Sequence, residues 1–192
     1  MKIGAFLFRL GPCWTNRPTR SAPHRAEWAA MARAETQRLQ GALGPVLLRV
    51  EHIGSTSIPG ILAKPIVDLI PVVSGLSALD AHEADIRALG YLWYGELGIP
   101  TRRYCTLTDA ATGKRVFQLH CFAHDSPQIA RHVAFRNYLR AHPALAKEYE
   151  AEKMRAAAQH PDSTLDYNDA KNDWIKRVER EALEWVSRSP AP

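Results

Sequence analysis

The order of hydrophobic and polar positions divides the chain into distinct elements. Apolar side chains recur every three or four positions across residues 25–43, which predicts an amphipathic helix, and Gly44-Pro45 predicts its end. Two apolar runs follow, at residues 46–53 and 66–73, and both have the length of a buried strand. The loop between them, residues 54–60, is rich in glycine and serine, which are typical of turns.

The middle of the chain alternates helix and strand patterns, and the last third is helical. Residues 76–89 predict a helix, and three strand candidates follow it, at residues 91–94, 101–108 and 115–122. From Pro127 onward the hydrophobic period is helical throughout. This part predicts three helices, at residues 127–141, 144–158 and 168–187.

These elements predict an α+β fold class and one compact unit with three parts. Residues 1–24 predict an irregular N-terminal arm, because they are rich in proline, arginine, serine and threonine. The arm begins with a short apolar run, but Arg9 interrupts it and no small-residue cleavage site follows, so we do not interpret it as a signal peptide. Residues 25–126 predict an α/β core, and residues 127–188 a three-helix part packed on that core.

The composition indicates which ligands and which cellular compartment to expect. The net charge of +5 favours phosphate-bearing or acidic ligands. Nucleic acid is not an expected partner, because the basic residues alternate with glutamates and the helices offer no aromatic stacking platform. No apolar run approaches the roughly 20 residues that span a bilayer, so no membrane association is expected. The three cysteines show no C-x-x-C spacing, which indicates a reducing, cytoplasmic environment.

The first candidate site is the loop after the strand at 46–53, together with one carboxylate in the next strand. Gly54-Ser55-Thr56-Ser57 combines hydroxyls with a tight turn, whose backbone N–H groups can bind phosphate while glycine permits close approach. Asp68 in the following strand would hold a divalent cation against that phosphate. The alternative is an ordinary turn and a hydrogen-bonded strand residue. A buried carboxylate needs a partner, and either Lys64 or a cation would serve.

A lysine in the last predicted helix is the second candidate. On a helical wheel of residues 170–188, Lys171 projects into the middle of the apolar arc, so we expect its side chain to face the protein. An ammonium group near a helix start is unfavourable unless an anion lies close by. The alternative is a lysine whose stem packs on the core edge while its charge reaches water.

Two arginines and a histidine complete the set. Arg136 and Arg140 share a partly apolar helix face, which suits bidentate binding of phosphate oxygens; salt bridges to Glu148 or Glu152 are the alternative. His120 shares one face of its strand with Gln118 and Phe122. It is either a ligand-binding or catalytic residue or a hydrogen-bonded core histidine.

With these residues collected, the chain resembles the GrpB family, whose members also occur fused to dephospho-CoA kinases. The resemblance runs from about Trp28 to Trp185. Its most specific part is EHIGSTSIPGILAKPIVDLI, and LHCF, FRNYLRAHPALAKEYEAEK and DYNDAKNDWI follow in the family's order. The arm at residues 1–24 is unlike the family's usual short entry strand.

The resemblance implies a nucleotidyltransferase-like fold, a small mixed β-sheet flanked by helices, and it implies roles for several residues. In that superfamily a Gly-Ser turn binds a nucleoside triphosphate and three carboxylates hold two magnesium ions for in-line displacement. Gly54 and Ser55 match the turn and Asp68 matches the first carboxylate, whereas Ile70 stands at the second. His120 is the only good ligand near the third.

The departures from the family pattern leave the metal site and the reaction open. The alternatives are a single metal ion, an unusual geometry in which Glu51 or His52 assists Asp68 in binding Mg²⁺, and a protein that only binds its ligand. Lys153 and Lys171, with Arg136 and Arg140, would neutralise the remaining phosphate charge. The resemblance thus implies a protein that binds a nucleotide or another phosphorylated small molecule and that transfers a nucleotidyl group with Mg²⁺. The alternative is a non-catalytic nucleotide or coenzyme sensor.

Overall fold

A computed structural model describes residues 21–188 of the chain, and these residues contain seven α-helices and five β-strands. In chain order they are α1 (Glu27–Leu43), β1 (Leu47–Ile53), β2 (Val67–Val73), α2 (Leu76–Asp80), α3 (Glu83–Ala88), β3 (Leu92–Trp93), β4 (Arg103–Thr108), β5 (Arg115–Ala123), α4 (Pro127–Ala141), α5 (Pro143–Gln159), α6 (Thr164–Ala170) and α7 (Asn172–Arg188). Short 3-10 turns follow α1 and β1, at Gly44–Val46 and Ser55–Ser57.

The five strands form one mixed sheet in the order β1-β2-β5-β4-β3. β2 and β5 are parallel, and the other neighbouring strands are antiparallel. The register places Ile53 of β1 opposite Asp68 of β2, and Asp68 beside Gln118 of β5. A small mixed sheet flanked by helices is the α+β fold class that the sequence predicts, and the prediction is confirmed.

The sheet has a core on each face because its central strands are apolar on both sides along most of their length. On one face, Leu69 and Leu119 are fully buried with Leu39 and Leu43 of α1. The opposite face of β2 and β5 packs against α4, as the shared cluster of Ile70, Val72, Phe122 and Ile129 shows. β2 therefore lies in the middle of the protein, and Asp68 interrupts the face that α4 covers.

Two predicted helices are each divided in the structure. The segment at 76–89 forms the short helices α2 and α3, and the segment at 168–187 is broken at Lys171, between α6 and α7. The C-terminal part thus has four helices and not three. At the break, Arg155 of α5 donates a hydrogen bond of 2.8 Å to the carbonyl of Ala170, a group that a continuous helix would use itself.

The predicted arm at residues 1–24 lies mostly outside the described residues. Its last residues do make one regular contact, since Ala22 and Ala63 exchange two backbone hydrogen bonds of 2.8 and 2.9 Å. Within residues 21–188, none of the helices has the length and apolar character needed to cross a membrane.

Candidate functional site

The turn after β1 is shaped around Asp68. Gly54 has a φ of 69°, in the left-handed region that favours glycine, and a Cβ at this position would overlap the Oδ2 atom of Asp68. Gly54 is therefore required by the backbone conformation and by the neighbouring carboxylate. This reason differs from the sequence-based expectation, in which the glycine admits a ligand.

The hydroxyls of the turn are divided between structural bonds and the surface. Ser57 donates to the carbonyl of Gly54 at 2.6 Å, and Thr56 hydrogen-bonds to Nε2 of His52 at 3.0 Å; both residues are buried. Burial, followed by the positive charge of Arg140, lowers the pKa of His52 to about 4. Ser55 is half-buried, and its hydroxyl has no hydrogen-bond partner among the described residues, so it is the hydroxyl of the turn that can still bind a ligand.

Asp68 lies at the centre of a row of polar side chains across the sheet. With its side-chain amide nitrogen toward Asp68, Gln118 donates to Oδ1 at 3.0 Å and its oxygen accepts from Arg115 at 3.2 Å. Nε2 of His120 is 3.7 Å from the same Oδ1 atom. Sequence reasoning placed Gln118 and His120 on one strand face but did not assign Gln118 to the site, because only the sheet register brings it beside Asp68.

Arg136 and Arg140 hold the turn in place from α4. Arg136 donates to Oε2 of Glu51 and to the carbonyl of His52, both at 3.0 Å. Arg140 donates from Nε to the carbonyl of Ser57 at 2.8 Å. Neither arginine forms the predicted alternative pair with Glu148 or Glu152, since the bonds described here go to β1 and the turn. These contacts give both arginines a structural role at the turn, and their role in phosphate binding stays a prediction.

Three lysines converge on the other side of Asp68, and we call Lys64, Lys153 and Lys171 the lysine cluster. The ammonium nitrogens of Lys64 and Lys171 lie 3.9 and 4.2 Å from the ring centroid of Tyr167. Lys153 donates to the carbonyl of Leu62 at 2.5 Å. Within residues 21–188, none of the three forms an ion pair within 4.0 Å.

Burial makes the charged state of these lysines unfavourable. It is the main cause that lowers the pKa of Lys153 and of Lys171 to about 8, and for Lys171 the positive charges of Lys64 and Lys153 add to the shift. Burial also lowers the pKa of Lys64. The negative charge of Asp68 opposes the shift at Lys64 and Lys171, so the carboxylate acts on both.

The donor set around Asp68 does not fit a two-metal centre. Within the described part of the chain, no group of three histidine, cysteine, aspartate or glutamate side chains is arranged to hold a metal ion. Ile70 is fully buried at the position of the second carboxylate, and Glu51 is bound to Arg136 and lies 3.4 Å from Arg49. A single Mg²⁺ held by Asp68 together with phosphate oxygens of a ligand is compatible with this set, because Mg²⁺ often uses only one or two carboxylates.

Two surface depressions lie away from these residues. One, of about 490 Å³, is lined in part by Pro59, Ile61 and Arg140, and the other, of about 320 Å³, by Tyr138, His142 and Trp185. Neither is lined by Asp68 or by the lysine cluster.

Comparison with known proteins agrees with the motifs. The family profile described as GrpB protein matches residues 19–181. The chain belongs to the GrpB family. The crystal structure of the conserved protein GrpB from Enterococcus faecalis is similar, with 37% sequence identity and a TM-score of 0.81 over 88% of this chain and 100% of that one.

Longer proteins also contain a region similar to this chain. The UPF0157 protein YqkA of Bacillus subtilis is 41% identical over 162 residues, which are 84% of this chain and 46% of YqkA. A dephospho-CoA kinase of Mycolicibacterium paratuberculosis is 29% identical over 88% of this chain and 47% of its own length. The chain therefore spans about half the length of these two relatives.

Proposed function

We propose that this GrpB-family protein binds a nucleotide or another phosphorylated small molecule between the turn at Ser55 and the lysine cluster. The observation that carries the proposal is that Lys64, Lys153 and Lys171 lie together without an ion pair within 4.0 Å among residues 21–188. Only the more distant charges of Asp68, on Lys64 and Lys171, and of Glu150, on Lys153, oppose the lowering of their pKa values. Lys153 is buried and Lys64 and Lys171 are half-buried, and such ammonium groups cost free energy unless an anion offsets their charge. A phosphate group supplies that charge and several acceptor oxygens together.

The arrangement distributes the roles among different elements. Lys64 precedes β2, Lys153 comes from α5 and Lys171 from the α6–α7 junction, so a bound phosphate would connect the sheet to the helical part. Ser55 and the backbone of the turn would approach the same anion from β1. Arg136 and Arg140 support the turn from below and do not need to contact the ligand.

The test is calorimetric titration of the protein with ATP, pyrophosphate and dephospho-CoA, each with and without Mg²⁺. The last ligand is included because a relative carries the name dephospho-CoA kinase. We expect at least one of them to bind in the micromolar range. Lys171→Gln should weaken that binding about tenfold or more, because it removes one charge-assisted hydrogen bond.

A matched control lies on the same part of the chain. Lys176 is exposed on α7, and Lys176→Gln removes the same charge from the protein without touching the cluster. The affinity of Lys176→Gln for the ligand should stay within about twofold of that of the wild-type protein. Equal weakening by both variants would indicate a general charge effect and would contradict the proposed site.

Nucleotidyl transfer is a second candidate, and the position of Asp68 against the Gly-Ser turn favours it. A single Mg²⁺ would add Lewis-acid assistance to a phosphoryl group. Incubation with labelled nucleoside triphosphates, Mg²⁺ and a metabolite extract would reveal transfer, and Asp68→Asn should abolish it. If nucleotides bind tightly but the wild-type protein transfers no more label than Asp68→Asn, the protein is a non-catalytic nucleotide or coenzyme sensor.

A further inference from the structure

A buried arginine with no acidic partner lies behind His120. Arg102 is 6% exposed and follows the turn between β3 and β4. Its guanidinium donates to the backbone carbonyls of Glu96 and Leu97, at 3.2 and 3.0 Å, and it lies 4.8 Å from the ring centroid of Tyr104. Within the described residues it has no carboxylate within 4.0 Å. Burying a charged group in this way is costly, so its position calls for a reason.

Arg102 also forms a hydrogen bond with the side chain of His120, and this contact explains its position. Its Nη1 atom donates to Nδ1 of His120 across 3.4 Å. A guanidinium has donors and no acceptor, so Nδ1 must supply a lone pair. A neutral imidazole that accepts at Nδ1 carries its proton on Nε2. The contact therefore selects one of the two neutral tautomers of His120.

The protonated nitrogen then faces the Asp68 side of the site. Nε2 of His120 lies 3.7 Å from Oδ1 of Asp68, which is longer than a direct hydrogen bond. Among residues 21–188, no acceptor lies within hydrogen-bond distance of Nε2. The ring of Tyr104, with its centroid 5.3 Å from that of His120, restricts the tilt of the imidazole. The Nε2–H group is thus a donor whose direction is set by its surroundings.

The segment that carries Arg102 is itself held in an unusual conformation. Leu97 and Thr101 both have positive φ angles, of 42° and 62°, although neither is glycine. The side chain of Glu96 accepts a hydrogen bond of 2.7 Å from the backbone N–H of Thr101 and so closes this turn. Such conformations are uncommon for residues other than glycine and persist only where the surroundings enforce them. The turn therefore holds the guanidinium in place.

We propose that Arg102 is a positioning residue that fixes His120 as the Nε2–H tautomer, so that His120 donates a hydrogen bond to a ligand oxygen beside Asp68 and does not ligate a metal ion. Metal ligation at Nε2 requires a lone pair on that atom, and this tautomer has none. The ligand oxygen rests on the proposed function, for which a phosphoryl oxygen is the expected acceptor. The tautomer does not depend on that function.

The decisive experiment is two-bond ¹H–¹⁵N correlation spectroscopy of protein labelled in its histidine rings. His120→Gln identifies the His120 signals by their loss. In the wild-type protein we expect Nδ1 of His120 to be unprotonated and Nε2 to be protonated. Arg102→Met should shift His120 toward a mixture of tautomers, whereas Arg103→Met, which removes the neighbouring side chain paired with Asp80, should not. A protonated Nδ1 in the wild-type protein would overturn the proposal, even if the Arg102 variant failed to fold.

Two further measurements separate the tautomer from the ligand. Addition of Zn²⁺ should leave the Nε2–H signal of His120 in place, and its loss would show direct ligation and contradict the assignment. If ATP binds, His120→Gln, which keeps a donor near Nε2, should retain affinity within about threefold, while His120→Leu should lose about tenfold. If none of ATP, pyrophosphate and dephospho-CoA binds, the proposed function fails and the spectroscopic result stands by itself.

Discussion

The two faces of β2 and β5 have opposite chemistry, although alternate residues of the same two segments supply both. Leu69 and Leu119 face α1 and are fully buried. On the other face, Asp68 and Gln118 pair across the strands, and His120 lies next along β5. That face is polar only at the end near the Gly-Ser turn, because farther along Ile70 joins the apolar cluster under α4. The polar groups of this face are therefore confined to one end of the sheet, where His132 of α4 approaches them, with its ring centroid 6.3 Å from that of His120.

We expect the largest loss of stability from a side-chain truncation on the apolar face. Leu119→Ala should lower the free energy of unfolding by about 2–5 kcal/mol, because it leaves a cavity in a fully packed core. Gln118→Ala, one residue away on the polar face, should cost less than about 1.5 kcal/mol, since it removes mainly one net hydrogen bond. Urea denaturation measures both. Equal losses would mean that the polar face is as important for stability as the core.

The next effect concerns the contact between the turn and the polar face. Gly54→Ala should destabilise the fold by about 2–3 kcal/mol, because its Cβ meets Asp68 and its φ angle is unfavourable for alanine. Gly60→Ala is the matched control: its φ is 78°, but a Cβ there meets no atom within 4 Å. It should cost only about 1 kcal/mol. Thermal unfolding of the two variants separates backbone strain from the overlap with Asp68.

The smallest predicted change is an increase in the free energy of unfolding, and it concerns Lys171. Burial holds the pKa of Lys171 below its value in the unfolded chain, so the unfolded state binds more protons between about pH 8 and 10, and stability rises with pH in that window. At neutral pH the buried charge therefore opposes folding. Lys171→Met should stabilise the protein by about 1–2 kcal/mol while it weakens phosphate binding.

The exposed residue Lys176 provides the comparison for this prediction. Lys176→Met should change the free energy of unfolding by less than about 0.5 kcal/mol. Chemical denaturation at pH 7 measures both variants. A loss of stability in Lys171→Met would mean that contacts of the ammonium group with Tyr167 outweigh its desolvation.

Much of the fold could be predicted from the sequence, because hydrophobic period reflects burial directly. The strands β1, β2, β4 and β5 and the helices α1, α4 and α5 occur within two residues of the positions that the pattern predicts. The division at Lys171 could not be predicted from the pattern. The carbonyl of Ala170 at the break accepts a hydrogen bond from Arg155, which is distant in sequence, and local periodicity contains no information about such a contact.

For the candidate site, the sequence indicated several of the residues, but it did not indicate which residues they contact. Asp68, Lys64 and Lys171 stand out in sequence because each is a charge in an apolar setting, and the structure brings them near one another. Arg136 and Glu51 are equally noticeable, but they bind each other, which only the approach of α4 to β1 determines. Gln118 and Arg102 gave no local signal, since their roles depend on sheet register and on one turn conformation.

If the lysine cluster binds a phosphate anion, as we propose, the protein should take up protons when the anion binds. Titration with ATP at pH 8 in buffers of different ionisation enthalpy measures this quantity. Because Lys153 and Lys171 have pKa values of about 8 and an anion raises both, we predict uptake of about one proton for each ATP bound. Lys171→Gln should reduce the uptake. ATP binding without proton uptake, unchanged in Lys171→Gln, would contradict the claim.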